Sequence, residues 1–76
     1  MSAIFSKWVS PKHKVAITES GEFYKMDTHQ FGTLMLKEVH AGSLHYRLPK
    51  ETERVSRKQL IETVIERTIQ IHQLPF

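Results

Sequence analysis

Five histidines, His13, His29, His40, His45 and His72, are the first place to look for chemistry in this chain. Their spacings match no familiar zinc pattern, and a site made of histidines alone would need three of them to converge. His40 and His45 could meet only if the segment between them is a hairpin. They read otherwise as surface imidazoles, with His72 at the edge of the core. Glu62 and Glu66 stand one turn apart if their segment is helical, but carboxylates on an exposed helix face are ordinarily solvated. Nucleophilic catalysis needs a Ser or Thr in contact with a base and an orienting acid. No glycine-bearing elbow surrounds a serine here, and no glycine loop is built to cradle phosphate. The expectation is a non-enzyme with no metal and no cofactor.

Two basic groupings remain. Lys7, Trp8, Lys12, His13 and Lys14 interleave cation and aromatic near the start of the chain. Arg47, Lys50, Arg54, Arg57 and Lys58 gather before the last apolar stretch. Cations at a helix N-terminus oppose the helix dipole, which points to another use for them, such as phosphate. A nucleic-acid reading would rest on Lys12, Lys14, Arg47, Arg54, Arg57 and Lys58. The balance of 11 Lys and Arg against 8 Asp and Glu gives a net charge of only +3, which permits that reading without demanding it.

The elements that must position these residues begin with composition. At 76 residues the chain is long enough for one domain, 1–76. A domain of this size buries roughly 60% of its unfolded surface, so partner binding or homodimerisation is a natural source of further stability. Cysteine is absent, which excludes disulfides, thiolate metal sites and cysteine nucleophiles. Hydrophobic residues at 39% and charged residues at 25% indicate a folded chain rather than a disordered one. MSAIFSKWVSPKHK lacks the long apolar run of a secretory signal. No stretch approaches the ~20 apolar residues of a membrane helix. A cytoplasmic protein without membrane contact is the expectation.

The clearest local signal is KVAITESGEFYKM, residues 14–26. A two-residue turn at Ser20-Gly21 would make a hairpin that sets Ile17 opposite Tyr24 and Val15 opposite Met26. SLHYRL, residues 43–48, alternates as a half-buried strand ended by Pro49. Residues 1–13 fit either a short helical turn or an edge strand. Residues 28–41 lean to helix, since Asp27 followed by Gln30 resembles a capping box and Gly42 suits a helix end. The competing reading is a strand from Thr33 to Val39 that turns back through 40–43.

LIETVIERTIQIHQ, residues 60–73, places apolar side chains over half of a helical wheel. With Ser56 as N-cap, or with a start near Glu51, it predicts an amphipathic helix over about 54–73, closed by Pro75. Either the whole stripe is core, or Leu60, Val64 and Ile71 cover a sheet while Ile61, Ile65, Ile69 and His72 face a partner. The expected fold is α+β: an antiparallel sheet from hairpin 14–26 and strand 43–48, packed against that helix and a shorter one at 28–41. The runner-up is a four-stranded meander with one helix.

The expected function is a regulatory protein, inhibitor or adaptor, that binds a larger protein through Ile61, Ile65 and Ile69, or Trp8 with Phe5, inside a basic rim. Its size and makeup suit a phage or mobile-element accessory protein. The rival is the nucleic-acid-binding regulator.

Overall fold

The computed structural model describes residues 3–73. Its strands are β1 (Ile4–Ser10), β2 (Val15–Thr18), β3 (Phe23–Met26), β4 (Phe31–Leu34), β5 (Leu36–His40), β6 (Ser43–Arg47), β7 (Arg54–Ser56), β8 (Ile65–Glu66) and β9 (Gln70–Gln73). The one helix among the described residues is α1 (Arg57–Glu62). Strands β1, β2, β3 and β4 form an antiparallel meander, and β9 lies parallel to β4 and antiparallel to β1. That last pairing closes five strands into a barrel, which leaves few free edges. β8 pairs with β1 further along. β5, β6 and β7 form a separate three-stranded sheet beside the barrel.

This topology creates two cores. Val9, Ala16, Tyr24, Met26 and Ile71 fill the barrel, joined by Ile4 and Ile69. Val15, Ile17, Phe23, Met35, Tyr46 and Leu60 pack between the barrel wall, the small sheet and α1. The Phe23 and Tyr46 rings stack with centroids 3.9 Å apart, tying wall to sheet. β2 is therefore covered on both faces, and all four of its residues are buried. A strand covered on both sides reads as a continuous apolar run, as VAIT does.

The barrel interior has no room for a side chain at one point on β4. A Cβ added to Gly32 would stand 2.6 Å from Cγ2 of Ile71. β1 also carries an irregularity, because its register against β2 shifts between Ser6 and Trp8. The extra residue reverses the strand's alternation. Ile4 thus faces inward before the bulge and Val9 after it, while Trp8 joins the outer core.

The α+β expectation is overturned: the chain is mainly β and barrel-like. Segment 14–26 is a hairpin, but its register differs by one residue from the expected one. Val15 pairs with Lys25, Ala16 with Tyr24 and Ile17 with Phe23. The loop has three residues, not two. The Thr18 N–H donates to the Glu22 carbonyl at 2.9 Å, the Gly21 N–H donates to the Thr18 carbonyl, and Gly21 takes φ +90°. A slip of one residue redistributes every side chain between faces. It separates Val15 and Ile17 from Tyr24 and Met26, which serve different cores.

The expected helix over 28–41 is absent. β4 and β5 occupy that segment, with Met35 between them. Asp27 Oδ1 does accept backbone N–H groups, from His29 at 2.8 Å and Phe31 at 3.0 Å, but it caps a turn. The same hydrogen bonding that starts a helix can build an Asx-turn, and Gln30 at φ +64° directs the chain into β4.

The long helix over 54–73 is likewise absent. Only Arg57–Glu62 is helical, with Ser56 Oγ accepting the Gln59 N–H at 3.1 Å as its N-cap. Six of the nine residues 63–71 are β-branched, and they favour the extended backbone that β8 and β9 adopt. The half-circle stripe combined a true helical turn at 57–62 with strand alternation in Ile69, Gln70, Ile71 and His72. Pro75 lies outside the described residues. Segment 43–48 forms β6 as expected, and residues 4–10 form a strand bonded on both sides. Among the described residues no helix is long and apolar enough to cross a membrane.

Candidate protein-binding groove

Three elements meet at a largely apolar concavity of the surface. Trp8 arrives from the outer face of β1, Leu44 from β6, and Ile61 and Val64 from α1 and the residues after it. Together they line a groove of about 570 Å³, floored by Ile17, Phe23 and Tyr46. A second groove of about 680 Å³ shares Leu44, Arg57 and Ile61 with the first and extends toward Lys58 and Glu62. Val39 lies opposite Leu44 across the strands and is the most exposed large hydrophobic side chain described, at 73%, so the apolar strip reaches the free edge of β5.

Local sequence explains why Ile61 is displayed. α1 is a short, capped helix that buries Leu60 completely, so the next residue is rotated about 100° away from the core. Ile61 remains 40% exposed. The rim is mixed but more basic than acidic. Lys37, Arg57 and Lys58 stand on it, with Glu19 and Glu62. Glu19 is already drawn to Lys7, whose ammonium sits 3.8 Å from it and 5.3 Å from the Trp8 ring. Burial pushes the Tyr46 phenol up, while the neighbouring Arg57 cation acts in the opposite sense.

Of the expected protein-binding residues, the fold brings Trp8 and Ile61 together. Phe5 is exposed but lines a different hollow, beyond the Glu19-Ser20 hairpin tip. Ile65 is exposed on β8. Ile69 is half-buried against the barrel interior and belongs to the core. Leu44, Lys37 and Val39 went unsuspected. The alternation of SLHYRL assigned Leu44 to a buried face, and only the meeting of α1 with that face opens it.

The six candidate nucleic-acid residues do not form one patch. Arg47 and Arg54 both donate to a single oxygen of Glu38, at 3.1 and 2.8 Å. Arg47 also donates to the carbonyls of Leu48, Pro49 and Glu51, so its guanidinium staples the loop before β7. The hydrogen bond from Arg54, and then that from Arg47, hold the Glu38 carboxyl below its usual range. Lys12 and Lys14 are exposed on the connection between β1 and β2, and neither lines the grooves. Arg57 and Lys58 line them beside Ile61. The paired carboxylates of the helical reading are also separated: Glu62 ends α1 and Glu66 lies on β8. His72 is exposed, its ring tilted against Phe31 at 5.7 Å. Among the described residues no three His, Cys, Asp or Glu side chains gather as a metal cluster. The chain matches no family model, no curated protein and no solved structure.

Proposed function

We propose that this chain is a non-enzymatic regulatory module, an inhibitor or adaptor, that docks a protein segment in the groove between Trp8, Leu44 and Ile61. The observation that carries the reading is the continuous apolar strip from Trp8 through Ile61 and Leu44 to Val39, bordered by Lys37, Arg57 and Lys58. An aromatic and aliphatic anchor set inside a charged rim is the usual layout of a protein interface. The basic excess on that rim favours a partner segment with apolar anchors flanked by acidic residues. A cytoplasmic setting is part of the same proposal. The nucleic-acid alternative is weakened by Glu38, which engages two of its six cations.

The test uses the full chain as bait in native lysate, with and without nuclease, beside three variants. Capture of a defined protein that survives nuclease, is lost in Ile61→Asp and in Arg57→Glu, and persists in Lys14→Glu supports the reading. Capture that vanishes with nuclease and with Lys14→Glu overturns it in favour of nucleic acid. Ile61 is a surface residue, so Ile61→Asp should keep its circular dichroism. Unfolding by Ile61→Asp would show the strip to be core and would also overturn the proposal.

A further inference from the structure

The β5–β6 hairpin sets two histidines side by side. His40 pairs with Ser43 across the turn, and His45 pairs with Glu38. His40 and His45 therefore stand on one face as diagonal neighbours, close enough for rings to touch. Their centroids are 5.4 Å apart with planes at 87°. His45 Nδ1 lies 2.9 Å from the Ser43 carbonyl oxygen. A carbonyl can only accept, so Nδ1 carries the proton and the Nε2 of a neutral ring keeps its lone pair. Metal-binding imidazoles are held by the same device, a backbone carbonyl fixing the tautomer and the ring. Two imidazoles sharing one tetrahedral ion, with metal–nitrogen bonds of ~2.0–2.1 Å, bring their ring centres to about 5 Å. The hairpin supplies that spacing already. The charged neighbours on this face are Glu38, Arg47 and Arg54, which largely satisfy one another.

We infer that His40 and His45 form a two-imidazole site for a divalent ion of the nickel, copper and zinc class. Imidazole suits these ions, and magnesium and calcium prefer oxygen. Two imidazoles fall short of the three that a closed histidine-only site needs, so the remaining positions are left to water or to donors from a bound partner. Neither histidine lines the Trp8 groove, although His45 borders the second groove that adjoins it. Zinc is titrated into the chain without a partner, so failure of the site would leave the docking proposal untouched.

Zinc chloride is titrated into the full chain by calorimetry while histidine ring signals are followed by NMR. The expected result is one ion per chain, with the His40 and His45 rings shifting before those of His13, His29 and His72. The variants His40→Gln and His45→Gln should each lose at least about tenfold in affinity, since removal of a ligand costs no less than loss of a supporting contact. Magnesium should leave the spectra unchanged. Equal shifts at all five histidines, or full zinc affinity in the doubly substituted chain, would overturn the site. Both residues lie on a solvent-facing hairpin, and an unchanged circular dichroism spectrum keeps the comparison valid.

Discussion

Ser6 shows how much one small side chain can organise. It sits at the bulge in β1, nearly buried at 4% exposure. Its hydroxyl donates to the Arg67 carbonyl at 2.9 Å and accepts the Ile69 N–H at 3.0 Å. Those are the backbone groups that the break between β8 and β9 leaves without a strand partner. Ser6→Ala orphans both, and a buried unsatisfied backbone group costs about 1–3 kcal/mol. Chemical denaturation should show a loss in that range, with faster amide exchange at Ile69; a neutral result would mean that water replaces the hydroxyl. Nothing in MSAIFSKWVS marks Ser6 for this role, because its partners lie more than sixty residues away in sequence. Gly32 was similarly opaque. The reason it is glycine lies on β9, in the side chain of Ile71.

Elements were legible in proportion to how local their causes are. The 14–26 hairpin, the 43–48 strand and the Ser56 cap each follow from neighbours within a few residues. The hairpin register did not, because Ser20-Gly21 fits a two-residue turn as well as the end of a three-residue loop, and hydrogen bonding at Thr18 decides it. The helix over 54–73 was misread because a wheel cannot separate a wide helical stripe from a short helix followed by a strand. The β-branched run from Thr63 was the signal against it. The candidate groove was legible only in part: Trp8 and Ile61 could be named, while Leu44 depended on which elements close the outer core. One element carries a correctable flaw. The β5–β6 turn places Ala41 at φ +52° beside Gly42 at φ +78°, a geometry that suits Asn-Gly. An alanine in the left-handed region costs about 1 kcal/mol. Ala41→Asn should therefore raise the thermal midpoint by a few degrees, consistent with ~0.5–1 kcal/mol in a domain this small. A lower midpoint would show that the hairpin does not hold that turn in solution.

At the scale of the whole molecule, two carboxylates join segments that the chain must bring together. Asp27 fixes the turn between β3 and β4, and Glu38 clamps β5 to β6 and β7 through Arg47 and Arg54. The Phe31 N–H, with help from His29, holds the Asp27 carboxyl below its usual range, and Arg54 with Arg47 does the same for Glu38. Both groups bind protons less readily folded than unfolded. Their contribution is complete above the ordinary carboxylate pKa near ~4 and drains away as pH falls through the lowered folded values. Asp27 is exposed and Glu38 only half-buried, so the effect is modest and added salt screens it. At the other limb, burial raises the Tyr24 and Tyr46 phenols, and stability should fall again above ~10, where the unfolded chain ionises first. Urea midpoints should thus form a plateau with an acid shoulder beginning near pH ~4–5. In Asp27→Asn with Glu38→Gln the starting stability at pH 7 should be lower and the acid shoulder flatter, so the two curves converge in acid. Parallel curves down to pH 3 would mean that acid acts elsewhere, and that the backbone pairing of β5, β6 and β7 holds the small sheet together without the Glu38 clamp.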